Sequence, residues 1–341
     1  MKKFKDFLME AGAGGQGQSA AAKGVAYETA LSKGLHHEGK FAEHHHNEEG
    51  MSAQQAHDHN MSKLPDSEKS NVEKSISPSV AAIRDHLAKH HSIPKNDPIA
   101  VHWTSKPGQV AKTTGKETDK ENPSDLVVHH AKSGKHVGLS LKFGSKPGLR
   151  SPGIEDLHKL AHTQFDKDKL ESNKKELIKM GAAHITGKSA SERNASFRAA
   201  EKNPKASIDI ANINKRSLEH RSEIAGNLAN HFNKLSHDEK HHAIKKLMNA
   251  DKTDTPVVKV HHDPKKSATH ISDPVAEFND LHNKTKEYHF EHKGMYINVH
   301  AHDKSGNIHH IAKIGIKHNS SPMTHIVGNV THGPGYKKII K

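Results

Sequence analysis

The 341-residue sequence predicts a mixed α/β fold: a small mixed sheet flanked by helices, with helical and β-hairpin additions towards the C-terminus. Three observations predict it. Two short apolar runs, Leu126-Val127-Val128 and Val137 to Phe143, flank a Lys-Ser-Gly-Lys turn at 132–135 and read as a β-hairpin. Segments with apolar residues at i, i+3 and i+4 lie on both sides of that hairpin. Alternating strand patterns return near the C-terminus, at 256–262 and again from Met295 to His318.

The elements follow in order. Residues 1–10 place Phe4, Phe7 and Leu8 on one face of a short amphipathic helix, and the Gly/Gln-rich run after it is linker by composition. Residues 23–35 are helical in pattern, and 36–77 are polar, a loop or weak helix. Pro78 reads as the first residue of a helix to about His91, with Val80, Ile83 and Leu87 on one face. Ile99 to Trp103 is strand-like, and Thr113 to Asn122 a charged loop. From Ile154 the period turns helical through Leu157, Ala161, Leu170, Leu177 and Ile178, and Ala182 to Thr186 reads as a short return strand. Residues 187–207 are polar without a clear period. Leu218 to Met248 reads as two helices, the second opened by Ser236 with Glu239 three residues on, a capping box. A hairpin turning at 303–307 closes the chain.

Composition narrows the chemistry. The hydrophobic fraction is 32% and aromatics 4%, low for a globular protein. Lys plus Arg number 52 against 39 acids, a net charge of +13, which suits a polyanionic partner through counterion release. There is no cysteine, which removes disulfides, thiol catalysis and cysteine-held zinc. No apolar run reaches the roughly 18–20 residues of a membrane span, so no membrane partner is expected. The 35 histidines are scattered as pairs and triplets without zinc-site spacing, a compositional habit rather than a metal centre.

The hairpin carries the chemistry. Pro123-Ser124-Asp125 places an acid at the head of the first strand, and Ser140-Leu141-Lys142 ends the second. Residues two apart on a strand share a face, so Ser140 and Lys142 point together. A carboxylate that can hold a divalent metal, beside an ammonium that can steady a phosphate, is the equipment of phosphodiester hydrolysis.

This arrangement resembles the PD-(D/E)XK nuclease superfamily, in a phage-type variant with serine for the second acid, over roughly residues 23–180. Gly24 to Leu31 resembles the family's first helix and its accessory glutamate, here Glu28; Val101 to Gly108 resembles a strand entering a turn; Lys146 to Gly153 supplies cations and a sharp turn. The resemblance implies a restriction-endonuclease-like core and a nuclease acting on DNA with Mg²⁺ (or Mn²⁺). Asp125, Glu28 and the backbone carbonyl of Leu141 would hold the metal, Lys142 would position water or stabilise the phosphate, and Ser140 would hydrogen-bond a metal-bound water. Asp119 and Glu121 are weaker candidates for the missing ligand charge. Lys135, Lys146 and Arg150 are the candidate phosphate contacts.

The implied domains are 1–22 as a targeting or flexible segment, 23–186 as the nuclease-like core, 187–253 as a helical region and 254–341 as a β-rich region. The alternative is a basic, DNA-associated phage head protein with a degenerate nuclease fold and no catalysis. His90 to Asn96 is similar to the start of an HNH motif, but the remaining ligands of that motif lack suitable spacing. Leu8-Met9-Glu10-Ala11 resembles the cut site of phage internal-head-protein targeting peptides. The expected locations are therefore the host cytoplasm, or the phage head interior and then the host cytoplasm.

Overall fold

The computed structural model describes residues 15–42, 50–104, 108–144, 151–251 and 253–340. The expected helix over 1–10 and the motif Leu8-Met9-Glu10-Ala11 lie outside them. The fold is mixed α/β, with two sheets, and the chain divides into two compact units.

One unit comprises residues 18–147 with 251–277. It holds helices α1 (Gly15–Leu35), α2 (Ala53–Ser62), α3 (Asp66–His91) and α4 (Gln109–Thr114), and strands β1 (Ala100–Trp103), β2 (Leu126–His130), β3 (Lys135–Phe143), β4 (Val257–Asp263) and β5 (Ala268–Ser272). The strands form one sheet in the order β1-β2-β3-β4-β5. Every pairing is antiparallel except β3 with β4, which run parallel with Ser140 opposite Lys259 and Leu141 opposite Val260. The period-2 alternation places Val101, Trp103, Leu126, Val128, Leu139 and Leu141 in one apolar core with Tyr27 and Leu31 of α1 and Ile83 and Leu87 of α3. Complete burial of each large side chain contributes about 1.5–3 kcal/mol.

The other unit comprises, among the described residues, 151–250 with 278–340. It holds α5 (Ile154–Leu160), α6 (Lys167–Met180), α7 (Ala190–Ala200), α8 (Ser207–Lys234) and α9 (His237–Leu247), and the antiparallel sheet β6 (Thr285–Lys293), β7 (Tyr296–Asp303), β8 (Ile308–His318) and β9 (Ile326–His332). Helix α10 (Pro274–Lys284) crosses the junction of the two units, and the short α11 is Tyr336–Ile339. The stacked rings of Phe232 and Phe290, 4.7 Å apart, join α8 to β6. The capping box of Ser236 and Glu239 opens α9 as the sequence implies.

The structure differs from the sequence reading in four places. Helix α3 starts at Asp66, so Pro78 lies inside it rather than at its head. An interior proline costs a helix about 3 kcal/mol, and here Val72 and Ser75 before it and Ser79 and Ile83 after it continue one buried face. Ala182 to Thr186 is turn and coil, not a strand; Ile185 packs instead with Leu177 and Phe197. The strand parallel to β3 is β4, so the core sheet closes only after the long insertion 148–250, and the expected boundaries at 186 and 254 both shift. The polar stretches 36–77 and 187–207 contain α2, the first part of α3, and α7, whose starts are set by the capping boxes Ser52–Gln55 and Ser189–Glu192 or by Pro65. Among the described residues no helix is long and apolar enough to cross a membrane.

Gly138 shows how tightly the hairpin is built. A Cβ there would lie 2.0 Å from Ser124 Oγ, and Ser124 is buried and donates to Asn122 Oδ1 at 2.6 Å. Ser124 of the Pro-Ser-Asp turn thus occupies the space that a side chain at 138 would need. Gly138→Ala is expected to lower stability by about 1–3 kcal/mol through overpacking, and Ser124→Gly in the same chain to recover most of the loss. Urea unfolding of the three variants checks this; an unchanged midpoint for Gly138→Ala would contradict it.

Candidate functional site

The site forms where β2 and β3 part. Their ladder ends with Leu126 opposite Leu139, yet the Asp125 N–H also donates to the Leu139 carbonyl at 2.9 Å. Asp125, just before β2, and Leu126 therefore both oppose Leu139, the arrangement of a β-bulge, which re-aims a side chain. The redirected Asp125 carboxylate accepts the Leu141 N–H through Oδ2 at 2.5 Å. The Asp125 carbonyl meanwhile accepts from the Thr104 N–H at 2.9 Å, tying the end of β1 to the same point. A strand residue sends its N–H and C=O to the same edge, so the Leu141 carbonyl faces the notch that Asp125 enters.

Glu28 arrives from α1. Trp103 Nε1 donates to Glu28 Oε2 at 3.3 Å. The adjacent Tyr27 anchors the helix: its hydroxyl donates to Ser79 Oγ at 2.8 Å, and Ser79 lies 3.1 Å from Thr269 Oγ1, which contacts His262 Nδ1 at 2.9 Å. Burial, then the Asp125 charge, push the Glu28 carboxyl up to about 8, against the smaller opposing effects of the Trp103 bond and the Lys142 ammonium. Burial also raises Asp125, opposed by Lys142 and by the Leu141 N–H. Asp125 thus acts on Glu28, and Lys142 acts on both acids, which come from α1 and from the residue before β2.

Ser140 is 6% exposed and shares the Lys142 face by strand phase. Asp119 does not join the site: it is buried, and its carboxylate accepts from the Thr255 N–H at 3.1 Å, Thr255 Oγ1 at 2.6 Å and Thr114 Oγ1 at 2.9 Å. Lys135 stands at the opposite end of β3, and its ammonium donates to the carbonyl of His91 at 3.0 Å. The Glu121 side chain, Lys146 and Arg150 lie outside the described residues.

Two contributors were not singled out from the sequence. Trp103 orients Glu28. Lys259, paired with Ser140 across the parallel ladder, is pushed down to about 8 by burial and then by Lys142, while Glu277 opposes the shift. Its signal was present: Lys259 is the one charged residue in the run Val257 to Val260.

The histidines gather no metal centre; among the described residues no three His, Asp or Glu side chains are arranged to hold an ion. Several pack as neutral rings. Burial pushes His86, His241 and His318 down to about 4, so these three stay neutral on mild acidification. A cavity of about 340 Å³ lies in the other unit, lined by His158, Gln164, Phe165, Asn227 and His231 among others, and it contains none of the hairpin residues.

No protein-family model, curated protein or solved structure matches this chain.

The raised Glu28 carboxyl makes the metal-free protein sensitive to pH in a definite direction. Its folded-state value lies above the ordinary 4.5, so the folded state binds this proton more tightly. That stability is full below about 4.5 and is lost as the pH rises to about 8. Glu28→Gln, which keeps the shape without titrating, is expected to remove this component. The melting temperature of the wild type relative to the variant, with chelator present, should fall from about pH 5 to about pH 8. Parallel profiles for the two proteins would refute the assignment.

Proposed function

We propose that the chain is a metal-dependent nuclease that hydrolyses DNA phosphodiester bonds. The observation that carries this reading is the Asp125 carboxylate seated on the Leu141 N–H one residue before Lys142, with Glu28 of α1 tied to Trp103 at the end of β1. The net charge of +13 supports a polyanionic substrate.

The donor set fits Mg²⁺ or Mn²⁺. The Asp125 charge opposes the ionisation of Glu28, and a backbone carbonyl faces the notch that Asp125 enters. Mg²⁺ is commonly held by one or two carboxylates, with waters and substrate phosphate completing its shell. Asp125, Glu28 and the Leu141 carbonyl are the residues that would hold it. When bound, the ion supplies Lewis-acid polarisation of the phosphate and a more acidic water.

The chain's own residues do the rest. The Leu141 N–H holds Asp125 in place, and Trp103 Nε1 holds one oxygen of Glu28, leaving the other for the site. The high proton affinity of Glu28 keeps it protonated near neutral pH in the metal-free protein, and a bound cation would favour its carboxylate form. The Lys142 ammonium lies beside both acids, where it can stabilise negative charge that grows on the phosphate oxygens.

One observation favours the second reading, a basic DNA-associated phage head protein without catalysis: position 140 carries a neutral serine. A single assay separates the two. Supercoiled DNA with Mg²⁺ or Mn²⁺ is expected to be cut by the wild type and on the order of 10²-fold or more slowly by Asp125→Ala and Lys142→Ala. Both variants should bind DNA almost as the wild type does, since one side chain contributes little to a distributed phosphate affinity. Equal cleavage by wild type and Asp125→Ala would end the nuclease reading.

A further inference from the structure

We infer that Lys259, Lys142 and Ser140 form a phosphate subsite on one flank of the notch, taking a phosphate group of the nucleic acid strand. The inference rests on the nuclease reading and assigns the position of the substrate's phosphate within it.

The sheet register sets the arrangement. In the parallel pair, Ser140 stands opposite Lys259 and Lys142 opposite His261. Alternate residues of a strand share a face, so Ser140, Lys142, Lys259 and His261 occupy one patch at the end of the β3–β4 ladder. β4 lies between β3 and β5, so Lys259 is on an interior strand and is half-buried there. Lysine is rarely buried without a partner.

The charged groups around the patch are disposed unevenly. Asp125 sits on the Leu141 N–H, on the β2 side of β3 and one residue from Lys142. Lys259 stands opposite Ser140 on the β4 side, and the carboxylate that acts on it is Glu277. His261 donates its Nε2–H to the carbonyl of Gly144 at 2.6 Å, so in the neutral ring Nδ1 is its one acceptor, and it adds no negative charge to the patch. Burial, then the like charge of Lys142, lowers the proton affinity of Lys259, and a bound anion would raise it again.

Ser140 acquires a reason in this arrangement. A carboxylate at 140 would sit directly opposite Lys259 and beside Lys142, pairing with the ammoniums itself. The hydroxyl instead leaves both cations for a ligand and adds a donor of its own. The ligand this set recognises is a tetrahedral oxyanion with several acceptor oxygens, next to the carboxylates rather than among them. The phosphate of a nucleic acid strand fits that description.

The test uses the full chain and inorganic phosphate as probe, without divalent metal, by isothermal titration calorimetry. The wild type should bind phosphate. Lys259→Met and Ser140→Asp should each weaken binding about tenfold or more, and Lys259→Arg should retain most of it. In cleavage assays Lys259→Met should lower kcat/KM for DNA, with overall DNA binding close to that of the wild type. Lysine side-chain NMR gives a second readout that needs no variant: the Lys259 amine should titrate at higher pH with phosphate present. Phosphate affinity unchanged within about twofold in Lys259→Met, or tightened in Ser140→Asp, would overturn the subsite. Should Lys259→Met not fold, Ser140→Asp and the NMR titration decide. The two readings fail separately. Phosphate loss in Lys259→Met with no cleavage by the wild type would keep the subsite and end the nuclease. An inactive Asp125→Ala with normal phosphate binding by Lys259→Met would do the reverse.

Discussion

One hydrogen bond organises the site: the Leu141 N–H to the Asp125 carboxylate, 2.5 Å long. It exists because β3 runs on after β2 has left the ladder. A main-chain N–H at that edge needs an acceptor, and the bulged Asp125 supplies one from its side chain. The carboxylate thereby becomes part of the sheet rather than a group hanging from it. The Thr104 N–H on the Asp125 carbonyl adds β1 to the same junction. Three strands thus fix one carboxylate at a point where a backbone carbonyl also faces outwards.

The remaining side chains are held by distant parts of the chain. Glu28 depends on α1, and α1 is pinned beside it by the buried contacts of Tyr27, Ser79, Thr269 and His262. The rings of Tyr27 and Phe143, 4.9 Å apart, add an apolar contact between α1 and the end of β3. Within this frame the acids and Lys259 shift in opposite directions. At the acid end Glu28 retains its proton towards neutral pH, and at the basic end Lys259 gives its proton up more readily. Both shifts remove charge that burial makes costly. By linkage, a cation at one end and an anion at the other would each restore the charged form.

The hairpin was legible in the sequence because its information is local. The period of two, the Lys-Ser-Gly-Lys turn and the acid at the strand head all lie within residues 123–143. Glu28 was legible only through its resemblance to a known helix. The place of β4 was not legible, since nothing local says which strand will pair with β3 after the insertion 148–250. Lys259 was hidden for the same reason: its alternating Val neighbours indicate a strand, but only the register puts it opposite Ser140. Pro78 misled because proline favours the first turn of a helix, and here continuity of the buried face outweighed that preference. Asp119 misled by proximity in sequence. Its carboxylate is engaged by Thr114 and Thr255, a tie that links the segment before β2 to the segment before β4.

That tie also bears on the parallel pairing. Asn122 donates to the Thr255 carbonyl at 3.1 Å, and the Gly138 N–H donates to the Pro256 carbonyl at 2.8 Å. The entry to β4 is therefore held from two sides just before Val257 meets Gly138. A shift of one residue there would move every side chain of β4 to the other face. Lys259 would leave the patch and Val258 or Val260 would replace it, removing valine from the core in which both are buried. The register that places a lysine opposite Ser140 is thus enforced by apolar burial and by the Asp119–Thr255 and Asn122–Thr255 contacts. The position of the cation follows from packing that serves the core, so the charge pattern at the notch is as firmly specified as the sheet itself.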